Sequence, residues 1–158
     1  MAIDQKYRDV VRNATLAAGA AGIPGAFSFG ADVTAMAATW GTMIVAIAKR
    51  SNHRVDPAFA AKLASGVLTG VAGYVTGSKI ATTAMSLIPG GVLLAVGVNS
   101  GLNSLFTYRL GLALSKLFDK GKLDASDATT AVTTLLSLMI GLPTWGQLRD
   151  FGSLLTEG

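Results

Sequence analysis

The chain has 158 residues and a mass of 16.1 kDa, enough for one domain with a sizeable core and too short for two ordinary ones. Charged residues make up only 14% of it, hydrophobic residues 51%, and the mean hydropathy is +0.51; a typical soluble domain carries about 25% charge, so the deficit favours a membrane-associated chain. The net charge is +4 and there is no cysteine, which excludes a disulfide framework and thiolate chemistry.

The first predicted element runs from Ile3 to about Ala21. Ile3, Tyr7, Val10, Val11, Ala14, Ala17 and Ala18 recur at helical spacing, with Lys6, Asp9 and Asn13 off that stripe, the pattern of an amphipathic helix. "GIPGAFSFG", residues 22–30, is expected to break it at Pro24, because proline disfavours helix in the residue before it. Asp4 and Asp9 in the would-be basic region, and the Gly/Ala-rich stretch broken by Pro24, argue against a signal peptide.

A second helix is predicted from Ala31 to Ala48, with Asp32 in the first turn, where an acid complements the helix dipole. It ends in "KRSNHR". Asp56 and Pro57 then form a strong start signal, an N-cap acceptor followed by proline at the first helical position. The third helix is expected over Pro57 to Thr76, carrying Gly66, Gly70, Gly73 and Gly77 near one face. Such spacing lets another backbone approach closely, as between membrane helices, and each interior glycine otherwise costs about 0.5–1 kcal/mol.

After the apolar piece that stops at Pro89 and Gly90, a long helix is predicted from Gly91 to Phe118. It is uncharged until Arg109 and carries Asn99 and Asn103 on one face. Buried asparagine costs several kcal/mol unless its amide is hydrogen-bonded, so both are expected to face neighbouring helices; lining an aqueous pore is the sharper alternative. Gly97 and Gly101 repeat the four-residue spacing and are read as part of the same packed side. "DASD", residues 124–127, starts a last helix to Ile140, with Asp124 as N-cap and Asp127 reinforcing the first turn. "TWGQLRDFGSLLTEG" is read as a short interfacial or docking helix.

Catalytic chemistry is sparse. The lone His53 sits in a polar connector without a nucleophile pattern, and neither HExxH nor an EF-hand loop is present. "GSK" at residues 77–79 lacks the upstream glycine of a phosphate-binding loop. An enzyme is not expected, and no cofactor or metal is called for. The basic residues fall in short groups, Lys6, Arg8 and Arg12, then Lys49, Arg50 and Arg54, then Lys116, Lys120 and Lys122. Flanking apolar segments in this way, they suit anionic lipid headgroups better than a nucleic-acid groove.

Two stretches carry a family resemblance. "AAGIPGAFSFGADVTAMAATWGTMIVAIAKRSNHRVD" and "LIPGGVLLAVGVNSGLNSLFTYRLGLALSKLF" resemble the two halves of a bacterial membrane-associated domain of unknown function that often follows an Era-like GTPase domain. The related EcsC-like family shares the first pattern. The matching positions are Pro24, Asp32, Pro89, Gly90, Asn99, Thr107 and Gly111, within about residues 14–118. The resemblance implies a compact all-α module that tethers GTPases to membrane without enzymatic activity; lacking a GTPase domain, this sequence would need a separate GTPase partner.

The expectation is therefore one all-α domain over residues 1–158, a bundle of five to six helices on the cytoplasmic face of a bacterial membrane. It self-assembles into a homo-oligomer through its glycine faces and serves as scaffold, anchor or membrane-shaping element. The alternatives are a pore built from inserting hairpins and a soluble adaptor for a GTPase.

Overall fold

A computed structural model describes residues 2–25, 31–71, 91–123 and 126–157, with side chains over 2–22, 33–71, 97–123 and 126–157. All regular structure among them is helical: α1 (Gln5–Gly25), α2 (Ala31–Arg50), α3 (Pro57–Gly70), α4 (Gly91–Asp119), α5 (Ala128–Met139) and α6 (Trp145–Thr156). The fold is an all-α bundle, as the periodicity implied. None of the described helices is long and apolar enough to cross a membrane.

The core is assembled from the stripes that the sequence spaced for it. Tyr7, Val11 and Ala14 of α1 meet Trp40, Ile44 and Ile47 of α2, Leu63 and Val67 of α3, and Leu110, Leu114 and Leu117 of α4. Ala17 falls outside the stripe and is exposed. The long α4 is the axis of the bundle and packs most extensively on α1.

Helix ends differ from expectation in three places, each for a local reason. α1 continues through Pro24 to Gly25. So near a C-terminus proline removes just one intrahelical bond, and the open carbonyl of Gly22 is capped by Asn99 Nδ2 at 2.7 Å. α3 stops at Gly70, well short of Thr76, with Val71 as its C-cap; glycine makes leaving the helix inexpensive. The N-cap of the following helix is Asp127, not Asp124: its carboxylate accepts from Thr129 N and Thr130 N at 3.0 and 3.2 Å, whereas Asp124 lies outside the described residues. The Asp56–Pro57 start is as expected, Asp56 accepting from Ala58 N.

α2 and α4 close in the same way. His53 N reaches back to Ala48 O and Asn52 N to Lys49 O; Lys122 N reaches Leu117 O and Gly121 N reaches Phe118 O. Each is a Schellman motif, with Asn52 (φ 59°) and Gly121 (φ 58°) in the left-handed conformation it requires. Both turns place cations beside free carbonyls at the negative end of a helix dipole.

Candidate functional site

Helix direction converts three sequence-distant basic groups into one end of the molecule. α1 runs antiparallel to α4, as the facing pairs Val11 with Gly111, Gly19 with Ser104 and Gly22 with Ser100 establish. The start of α1 therefore lies beside the ends of α2 and α4. Lys6 Nζ is 2.6 Å from Asp119 Oδ1. Tyr7 OH hydrogen-bonds to Ser51 Oγ and donates to Asp119 Oδ1, both at 2.5 Å. Arg50 pairs with Asp9 through Nη2 at 2.6 Å and also donates to the Lys6 carbonyl. The His53 ring tilts against Phe118 at 5.5 Å.

Charge at this end is only partly neutralised. Arg50 and Lys6 are committed to Asp9 and Asp119. Lys49, Arg54, Lys120 and Lys122 are exposed around them and take part in none of the ion pairs among the described residues. Lys116, half-buried one turn earlier, has its pKa lowered by burial and then by Lys120. Burial pushes the Asp119 carboxyl up, but hydrogen bonds from Lys6 and Tyr7 outweigh it, and its pKa falls below the ordinary value.

The buried polar residues of α4 form a spine that bonds to protein. Asn99 caps α1 as described, and Ser104 Oγ donates to Thr15 O at 3.1 Å. Trp40 Nε1 donates to Thr107 Oγ1 at 2.8 Å, and that hydroxyl donates to Asn103 O at 2.8 Å. Asn99 and Asn103 are 1% and 5% exposed, so both face protein as expected. Asn103 Nδ2 has no hydrogen-bond partner among the described residues. Thr107 and Gly111, singled out by the family resemblance, are structural: one anchors Trp40, and a Cβ at the other would lie 2.7 Å from the Val11 methyls.

The glycines divide into two kinds. Gly66 and Gly70 face Val132 and Leu136 of α5 within the same chain, so these two of the glycines expected between subunits pack intramolecularly. Gly97 and Gly101, expected in the packed seam, are exposed and have open space before them. They lie roughly 200° around the helix from Asn99 and Asn103, so one side cannot hold both. Between α1 and the N-terminal half of α4, Gly19 meets Ser104 Oγ and Gly22 meets the Ser100 backbone. Their signal was two small residues in α1 opposite two serines in α4. Gly73, Gly77, Pro89 and Gly90 lie outside the described residues, as do the side chains of Pro24 and Asp32.

A second cluster, unforeseen in the sequence, seats α6. Asp150 accepts from Arg8 Nη1 at 2.8 Å, Tyr108 OH at 2.9 Å and Ile3 N at 3.1 Å; Arg8 Nε also donates to Glu157 at 2.6 Å. Burial pushes Asp150 up, yet these bonds outweigh it and hold its pKa below the ordinary carboxylate value. Arg8 is raised, chiefly by its bond to Asp150, and Tyr108 is raised by burial and then by Asp150. The cluster is an anchor in which Arg8, Asp150, Glu157 and Tyr108 engage one another. Among the described residues no group of three His, Cys, Asp or Glu side chains could hold a metal ion.

Comparison with known proteins finds no match among family models, curated proteins or solved structures.

Proposed function

We propose that the chain is a non-enzymatic helical module that docks peripherally on an anionic membrane surface through its basic end. The observation that carries this reading is the convergence of Lys49, Arg54, Lys120 and Lys122, exposed and outside the ion pairs of that end. Each basic side chain near an anionic leaflet contributes about 1 kcal/mol, and none needs a specific partner geometry. The family resemblance makes a separate GTPase the first cargo to test by pull-down.

The test is co-sedimentation of the full chain with phosphatidylcholine vesicles, with and without phosphatidylserine. Binding is expected only with the anionic lipid and weakens with salt, because surface charge is screened. Replacing Lys49, Arg54, Lys120 and Lys122 together by Gln is expected to weaken it by up to about a thousandfold. Binding unaffected by those four changes would remove the basic end from the mechanism.

A further inference from the structure

Four large apolar side chains stand out of the protein within eight consecutive residues. Leu138 is 49% exposed, Ile140 70%, Leu142 94% and Trp145 81%, the four most exposed large hydrophobic residues among those described. They occupy the end of α5, the connector and the first residue of α6. Beside them lies an apolar cleft of about 270 Å³ lined by Leu102, Phe106, Met139 and Pro143.

This projection is built and held. Arg109, 8% exposed, donates through its guanidinium to Gly141 O and, at 3.5 Å, to Leu138 O. It thereby ties one carbonyl of the connector and one of the last turn of α5, where four lack intrahelical partners, to the side of α4. On the other side Thr144 and Gln147 form a capping box, Gln147 Oε1 accepting from Thr144 N at 2.9 Å and Thr144 Oγ1 from Gln147 N at 3.3 Å. The connector thus presents apolar tips over a backbone paired at both of its ends, through Ile140 N, Gly141 O, Thr144 N and Thr144 O, while the middle, at Leu142, keeps its backbone groups for water, which limits any entry to the hydrated headgroup–acyl boundary.

We infer that the α5–α6 connector inserts shallowly into the acyl boundary of an anionic bilayer, with Ile140, Leu142 and Trp145 as the inserting side chains. The inference rests on the membrane-docking reading and adds a second, apolar contact to it. Charge complementarity selects the occupant. Lys116 shares a cleft with Leu138 and Gln147, exposed Arg149 lies one helical turn after Trp145, and no carboxylate lines either adjoining cleft. Tryptophan suits the headgroup–acyl boundary, being apolar in body and polar at one edge. A second copy meeting the same patch across a two-fold axis would bring the cations of both chains together, which costs binding.

The experiment uses the full chain, phosphatidylcholine–phosphatidylserine vesicles and the same vesicles with brominated acyl chains. Trp40 is fully buried, so the difference in emission between the wild-type chain and Trp145→Phe isolates Trp145. That component is expected to shift to the blue on binding, to be quenched by brominated chains and to escape iodide. Leu142→Ser is expected to lower affinity about tenfold while keeping the salt dependence and, because the side chain is exposed, the helical circular dichroism. Salt-sensitive binding with Trp145 still open to iodide overturns the insertion and leaves the basic-end reading standing. A Trp145 shift that follows protein concentration without lipid assigns the patch to a second copy and also overturns it. Absence of vesicle binding overturns both.

Discussion

The α1–α4 seam and the seat of α6 are built on opposite principles. In the seam two backbones approach through Gly19 and Gly22, with serine opposite each, and short side chains bond directly to main-chain oxygens. At the seat, α6 buries only Leu154 fully and is held by Arg8, Asp150, Glu157 and Tyr108. The first contact depends on fit and the second on charge. The seam should therefore tolerate acid and fail on added volume, whereas the seat should tolerate volume and fail when its carboxylate is lost.

The largest effect that would break this comparison is expected at Gly22. A Cβ there would lie 2.7 Å from Ser100 Cα and 2.8 Å from Ser100 N, backbone atoms that cannot rotate aside. Gly22→Val is expected to cost about 3 kcal/mol or more, read as a loss of urea stability. A cost below about 1 kcal/mol would mean that the helices are not in backbone contact.

Next is Asp150→Ala, which leaves the Arg8 guanidinium, its side chain only 10% exposed, with Glu157 as its remaining carboxylate. A cost of about 3 kcal/mol is expected, the lower end for breaking a buried pair, with hydrogen exchange rising first in α6. The pH dependence has the same origin. The folded pKa of Asp150 is depressed, so its contribution is complete above the unfolded carboxylate value of about 3.9 and is lost as pH falls through the folded value. Asp9, Asp119 and Asp127 are depressed too, so the acid limb belongs to several groups. Comparison of wild type with Asp150→Asn isolates the share of α6, and an unchanged acid limb for α6 exchange would reject the assignment.

Smaller effects sharpen the picture. Gly121→Ala places a side chain at φ 58° and is expected to cost about 1 kcal/mol, measured by thermal unfolding. Gly97→Ala and Gly101→Ala should act the other way. Both positions face open space within α4, so each is expected to stabilise by about 0.5–1 kcal/mol. Destabilisation at either would reveal a contact on the outer face of α4.

Much of the fold could be read from residue order. The Asp56–Pro57 start, the stripe through Tyr7, Val11 and Ala18, and the paired burial of Asn99 follow from capping chemistry, helical period and the cost of an unpaired amide, whereas Asn103 is buried with its Nδ2 unpartnered among the described residues. The candidate basic end was legible as three separate groups whose meeting was not. Gly97 and Gly101 were misassigned because four-residue spacing marks a face without saying which way it turns.

By itself the sequence determined the local terms: which segments are helices, the acid at the start of α3, and the poverty of catalytic groups. These depend on neighbours within a few residues, so order alone carries them. The tertiary structure alone decided that Gly22 meets Ser100, that Arg8 finds Asp150 from 142 residues away, and that Lys49, Arg54, Lys120 and Lys122 share one end. Those outcomes depend on the direction and rotation of whole helices, which are fixed only when every apolar stripe is buried at once.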